Sequence, residues 1–211
     1  MNFLAHLLLS PPTPDGRLGG LLGDFVKGPL DQAGYPPGVT AGIRLHRRVD
    51  SFTDAHPAVQ VARNLVSPGR RRFAGILVDI FFDHFLAQRW ERWHAVPLPR
   101  FASTVYDELA RTPHSVPSRF ALMAPTMAAQ DWLGSYASAV GISLTLERMS
   151  HRSPVAAPLA GGGEELIGAF DGFERAFESF FPDVLAMVAG PDNQQQVRAL
   201  PDHRAISTLA F

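Results

Sequence analysis

The sequence predicts an all-α fold, a single-domain multi-helix bundle. Three observations carry that expectation. Apolar residues recur at helical spacing through most of the chain, and proline and glycine punctuate them at intervals suited to helix ends. No region shows the alternating apolar and polar runs, bounded by turn pairs, that a sheet requires. With 211 residues, 46% of them apolar, the chain is long enough to bury a proper core as one domain.

Residues 2–10 read as a short helix stopped by Pro11 and Pro12, and Asp15-Gly16 supplies a turn. Leu18, Leu21, Leu22 and Phe25 place a second helix over 18–27, which Gly28-Pro29 ends. The third helix, 39–53, carries an apolar stripe of Val39, Gly42, Ile43, Val49 and Phe52, and His46 lies on that stripe. A short helix follows Pro57, and Pro68-Gly69 breaks the chain before 73–93, which is apolar on every side and therefore a central buried helix. Weaker periodicity marks 101–109, 119–140 and 142–149, separated by Pro113, Pro117 and Gly141. Residues 153–163 read as a loop and 164–188 as a last amphipathic helix. The helical domain is thus expected over 1–190, with a C-terminal tail over 191–211.

A formal net charge of −1 names no partner and gives no reason to expect nucleic acid. The basic residues are arginine apart from Lys27, and arginine is the better bidentate partner for phosphate and carboxylate; a codon bias toward arginine explains the same count. The chain has no cysteine, which excludes disulfides, thiolate metal sites and cysteine nucleophiles. The opening MNFLAHLLLS lacks a basic leader and a cleavage site and has His6 in its middle, so it reads as a buried helix. No run reaches the roughly 20 apolar residues of a membrane span, and a cytoplasmic protein is expected.

The informative stretch is GILVDIFFDHFLAQRW, from Gly75 to Trp90. Asp79 and Asp83 stand one helical turn apart, so their carboxylates share a face of a helix that should be buried. Burying an unpaired carboxylate costs several kcal/mol, and two would also repel, so positive charge must meet them. Arginines or a metal ion can supply it. His84 adjoins the pair, His46 and Asp50 repeat the one-turn spacing, His6 interrupts the first helix and Asp24 the second. Each has an ordinary explanation alone, a satisfied core histidine or an Asp24–Lys27 pair. Four segments each turning His or Asp toward a core favour a metal. Imidazole with carboxylate and no thiolate suits Mn, Fe, Mg or Zn. Arg47, Arg48 and Lys27 lie beside these groups in sequence, and Arg70, Arg71 and Arg72 open the central helix, either as anion binders or as a solvated helix start. The residues by themselves reach as far as metal-dependent hydrolysis of a phosphate ester.

Five blocks, MNFLAHL, LLGDFVKG, GIRLHRRVDSFTDAHP, RRFAGILVDIFFDHFLAQRW and, more weakly, residues 149–152, occur in the order and spacing of the acyl carrier protein phosphodiesterase family, which the chain resembles strongly over 1–95 and loosely beyond. The resemblance implies a divergent HD-phosphohydrolase bundle that holds a divalent cation, Mn²⁺ first and Mg²⁺ or Fe²⁺ as alternatives. It implies hydrolysis of the phosphodiester joining 4′-phosphopantetheine to a serine of holo acyl carrier protein, a reaction of fatty acid metabolism, with no membrane or nucleic-acid partner. Carried onto this sequence, it makes His6, Asp24, His46, Asp79, Asp83 and His84 the metal shell, although Asp83-His84 reverses the usual His-Asp order. Asp50, Arg47 and Lys27 are then the catalytic candidates, and Arg48, Arg70, Arg71 and Arg72 the carrier-binding ones. Two other readings stay open: a nucleotide or small phosphate-ester hydrolase of the same superfamily, and a non-catalytic helical module with its buried Asp and His paired to arginine.

Overall fold

The computed structural model describes residues 1–190, so the tail expected over 191–211 lies outside the described residues. Every regular element among them is helical. Helix α1 (Phe3–Leu9) stops at Ser10. Helix α2 (Pro14–Leu22) starts earlier than its apolar spacing suggests, because Pro14 fits the first helical position and the Thr13 hydroxyl accepts from the Gly16 amide. It also ends earlier, at Leu22, so Asp24 sits on a turn rather than on a helix.

Helix α3 (Pro37–Ala55) packs closely on α2, and glycine is the reason. A Cβ on Gly19 would lie 2.2 Å from the Val39 carbonyl, and one on Gly42 would lie 2.3 Å from the Gly16 carbonyl. The two backbones touch, which no larger residue permits. That contact brings the carbonyl of Gly20 on α2 to the ring of His46 on α3.

Helix α4 (Pro57–Leu65) and a 3-10 turn over Pro68–Phe73 lead into α5 (Ala74–Gln88). As expected, α5 is the core element, with Phe81, Phe82 and Phe85 fully buried. It is shorter than the apolar run, since a 3-10 turn at Trp90–Arg92 takes over. Helix α6 (Leu98–Ala110) follows. The single helix expected over 119–140 is instead α7 (Ser118–Ala129) and the one-turn α8 (Trp132–Ser135). Asp131 divides them: it adopts a left-handed φ of 43°, and its carboxylate caps α8 by accepting from the Gly134 amide.

Helix α9 (Ala139–Ser150) ends at the segment expected to be a loop, part of which winds into a 3-10 turn at Pro154–Leu159. The last predicted helix is split at Ala169 into α10 (Gly163–Gly168) and α11 (Phe170–Val188), with the weak helix former Gly168 at the break. Helix α11 buries an aromatic face against α5: Phe81 meets Phe173 edge-on at 4.9 Å between centroids, and Phe82 and Phe85 meet Phe177 at 5.7 and 5.9 Å. This pairing anchors α5, whose other side faces α1 and carries Asp79 and Asp83.

Candidate metal centre and active-site cleft

His6 on α1 and His46 on α3 are both buried, and their rings stack at 3.7 Å between centroids with 19° between planes. The His46 Nδ1–H donates to the Gly20 carbonyl at 2.7 Å, which directs Nε2 outward to Asp50 Oδ2 at 3.0 Å and Asp24 Oδ1 at 3.5 Å. His6 Nε2 lies 3.1 Å from the other oxygen of Asp50. That contact is near but poorly angled, and His6 Nε2 remains a buried polar atom without a hydrogen bond.

The two imidazoles have opposite protonation tendencies. Burial pulls His46 down, but the bonds to Asp24 and Asp50 outweigh it and hold the ring up at about 9. Burial dominates at His6, which Asp50 only partly offsets, and its pKa falls to about 4. Asp50 feels burial upward, yet His46 and His6 hold it well below the usual carboxylate range, and Asp24 is shifted the same way by His46. Anions are thus stabilised here by whatever cation the imidazoles present.

A metal ion fits this donor set. Ligand atoms of His6, His46 and Asp50 all lie within 4.8 Å of one another. One imidazole already donates its far N–H to a backbone carbonyl, the arrangement that fixes a metal-binding histidine, and the other offers a buried nitrogen without a hydrogen-bond partner. Gly23 makes room for this: a Cβ there would stand 2.2 Å from the His46 ring.

Asp24 and Asp50, the carboxylates that meet the buried imidazoles, line a cleft of about 360 Å³, in the size range of small-molecule sites. Asp24, Asp50, Asp54 and Asp79 line its acidic part, while Trp132, Tyr136, Arg148, Met149 and Arg152 come from α8, α9 and the turns beside them. Asp79 is approached by the α-amino nitrogen of Met1 at 3.0 Å, and burial pushes its pKa up despite that contact.

Asp83 and His84 do not join the cluster, contrary to the expected convergence. Asp83 is fully buried, and its two oxygens accept from the backbone amides of Leu4 at 2.8 Å and Ala5 at 3.2 Å. The carboxylate serves as a cap for the start of α1, supplied by a distant helix. His84 is buried, with Nδ1 2.7 Å from the Tyr136 carbonyl. The helical period accounts for His84, which at i+1 from Asp83 points about 100° away, while Asp83 is held off by the two amides of α1.

The cationic candidates also separate. Arg47 donates to the carbonyls of Val26 at 2.7 Å and Gly28 at 3.0 Å, so it pins the turn that carries Asp24 instead of reaching into the cleft. Lys27 is exposed and does not line the cleft, and Arg48 reaches Met187 on α11. Arg70 donates to the carbonyls of Pro158 and Ala160 and to Glu165, tying the turn before α5 to the segment after α9. Arg71 bonds Asn64, and Arg72 is exposed. Sequence reasoning missed Trp132, Tyr136, Thr145, Arg148 and Arg152 as cleft residues. The one available signal was the weakly matching 149–152 block, with Arg148 and Arg152 one turn apart.

Fold and site together define a class: a protein helical throughout its described residues, with a small-molecule-sized cleft lined by a carboxylate that, with two buried imidazoles behind it, is able to hold a metal ion. Comparison with known proteins makes this specific. A profile described as acyl carrier protein phosphodiesterase matches residues 1–184, and the chain belongs to that family of phosphodiester hydrolases. It is 39% identical to the acyl carrier protein phosphodiesterase of Yersinia pestis, over 88% of this chain and 96% of that protein. The proteins of that name from Photorhabdus laumondii and Escherichia coli are 36% and 33% identical, over 91% and 90% of this chain and 97% and 98% of theirs. No solved structure matches the chain.

Proposed function

We propose that the protein hydrolyses the phosphodiester between 4′-phosphopantetheine and a serine of holo acyl carrier protein, with a divalent cation, Mn²⁺ first, at His6, His46 and Asp50. The single observation that carries this is the meeting of two buried imidazoles with a carboxylate that lines a cleft, in a chain of this family. The helical setting of the His and Asp groups supports the HD-phosphohydrolase reading of the fold, and the reaction places the protein in fatty acid metabolism in the cytoplasm. No helix among the described residues is long and apolar enough to cross a membrane.

When bound, the cation supplies positive charge toward phosphoryl oxygens and acidifies water near neutral pH. The residues of this chain hold and shape the site. His46 is fixed in orientation by the Gly20 carbonyl, Asp50 bridges the two imidazoles, and Asp24 approaches from its pinned turn. Phe3, Ile76, Ile80 and Trp132 give the cleft walls that limit water around the reacting phosphate. In the overall reaction the bond between phosphorus and the serine oxygen breaks, the oxygen of water ends on phosphorus, and a proton ends on serine. With cysteine absent from the chain and no serine among the described residues that line the cleft, water is the nucleophile.

The test is intact mass spectrometry of holo acyl carrier protein incubated with the protein and Mn²⁺. Conversion to apo carrier, with one ¹⁸O appearing in released 4′-phosphopantetheine when the reaction is run in labelled water, supports the reading. Unchanged holo carrier, or a covalent phosphopantetheinyl-protein intermediate, overturns it.

A further inference from the structure

The groups described so far account for one end of the cleft, the acidic one. Four carboxylates line it, Asp24, Asp50, Asp54 and Asp79, and the cations that meet them, His46, the Met1 amine and Arg63, are already paired with them, so a phosphodiester needs a further cation that is not. Among the described residues the side-chain cations lining the cleft are Arg148, in the last turn of α9, and Arg152, in the turn that follows the helix.

The two are built differently. The guanidinium of Arg148 donates to the Leu144 carbonyl, to Gln130 and to the Thr145 hydroxyl, and it lies over the Trp132 ring at 5.2 Å. It is held in place, and it holds Trp132 in place as a wall of the cleft. Arg152 is exposed and has no side-chain hydrogen bond or ion pair among the described residues. Glu147, the acid in the last turn of the preceding helix, pairs with His151 at 3.2 Å and is not its partner. An arginine that lines a cleft without a partner keeps its planar fork for a ligand, and that fork matches two oxygens of a phosphoryl group. Beside it, Met149, Trp132 and Ile76 form an apolar wall of the kind that takes an uncharged organic chain.

We infer that Arg152 is the substrate-positioning residue of this cleft. It pairs with the phosphoryl oxygens of the ester, while the Trp132 and Met149 wall, braced by Arg148, receives the uncharged arm attached to that phosphate. This rests on the phosphodiesterase reading for its reaction, but it makes a claim about binding that is measured separately. The sequence signal for it is faint, a single Arg four residues after another at the end of a helix.

The experiment uses the full chain and two readouts. Steady-state kinetics on holo acyl carrier protein in Mn²⁺ compares the unmodified protein with Arg152→Gln, Arg152→Lys, Trp132→Ala and a remote control, Arg100→Gln. Isothermal titration then measures binding of free 4′-phosphopantetheine, of inorganic phosphate and of Mn²⁺ alone. Loss of a charge-assisted pair is worth about tenfold to a hundredfold in affinity. Arg152→Gln is therefore expected to raise KM and weaken 4′-phosphopantetheine binding by that factor, with Mn²⁺ binding unchanged and Arg152→Lys partly restored. Trp132→Ala should weaken 4′-phosphopantetheine but not inorganic phosphate, and Arg100→Gln should change nothing. Active enzyme with KM and ligand binding unaltered in Arg152→Gln overturns the inference and leaves the proposed reaction standing. Unmodified protein that binds 4′-phosphopantetheine through Arg152 but does not hydrolyse the carrier overturns the reaction and leaves the inference standing. Absence of both activity and binding overturns both.

Discussion

Replacing Asp83 separates its two readings, as a metal ligand and as the cap of α1. Its oxygens accept from the Leu4 and Ala5 amides, and all three residues are buried, so Asp83→Ala leaves two donors with neither a partner nor water. Each such donor costs about 1–3 kcal/mol, which gives roughly 2–6 kcal/mol in total before relaxation. The carboxyl itself opposes this at higher pH. Burial pushes Asp83 up to about 7, against the pull of the Leu4 and Ala5 amides. A carboxyl whose pKa is raised by folding contributes stability that is fully present below its ordinary value of 3.8 and is lost as pH rises through about 7. The destabilisation by Asp83→Ala is therefore larger at mildly acidic than at alkaline pH. At roughly 1.4 kcal/mol per pH unit, it should narrow by about 2 kcal/mol between pH 5.5 and pH 8.5. Urea unfolding of the two proteins at both pH values measures this, and Mn²⁺ titration of folded Asp83→Asn completes it. A gap of several kcal/mol that shrinks with pH, with Mn²⁺ binding retained in Asp83→Asn, is the expected result. Asp83→Ala as stable as the unmodified protein at pH 5.5, or a folded Asp83→Asn without Mn²⁺ affinity, would refute the capping argument.

Other perturbations follow from the same geometry. Gly23→Ala puts a Cβ 2.2 Å from the His46 ring, so it should cost about 1–3 kcal/mol of stability and abolish Mn²⁺ binding in a protein whose helical circular dichroism is intact. Arg47→Ala releases the carbonyls of Val26 and Gly28 and should lower both turnover and stability, the latter by about 1 kcal/mol per lost bond, without altering the salt dependence of KM; a changed salt slope would restore Arg47 to substrate contact. Glu165 accepts from Ser67 and Arg70, and although burial pushes it up, these partners hold it below its ordinary 4.5. Its stabilising contribution is present above 4.5 and is lost as pH falls through the lowered value, so the Glu165→Gln penalty, about 1 kcal/mol near neutrality, should vanish on acidification in thermal melts.

Much of the fold was legible because periodicity and breakers act locally. The apolar run of α5, the Pro11-Pro12 stop after α1 and the His46 stripe of α3 are all sequence-local facts. The end of α2 was not legible, because the glycine contact with α3 that shapes it is tertiary. The same distinction runs through the site. His6, His46, Asp24 and Asp50 are polar interruptions of apolar stretches of sequence, and the structure gathers them. Asp83 interrupts its helix in the same manner, yet its need for a partner is met by two backbone amides, which no pattern of side chains records. Arg70 looked like a free rim charge because its acceptors, the carbonyls of Pro158 and Ala160, are invisible as residue types. Arg152 escaped notice for the opposite reason, being an ordinary exposed arginine until the fold turned α9 toward the cleft.

The central claim is that the cation sits at the two stacked histidines. An anomalous difference map at the manganese edge, from crystals of the full chain grown with Mn²⁺, tests it most directly. The account predicts one strong peak between His6 Nε2, His46 Nε2 and the Asp50 carboxylate, lost in His46→Ala crystals. A peak at Asp83 and His84 instead, or catalytically active crystals with no peak at the histidines, would contradict it.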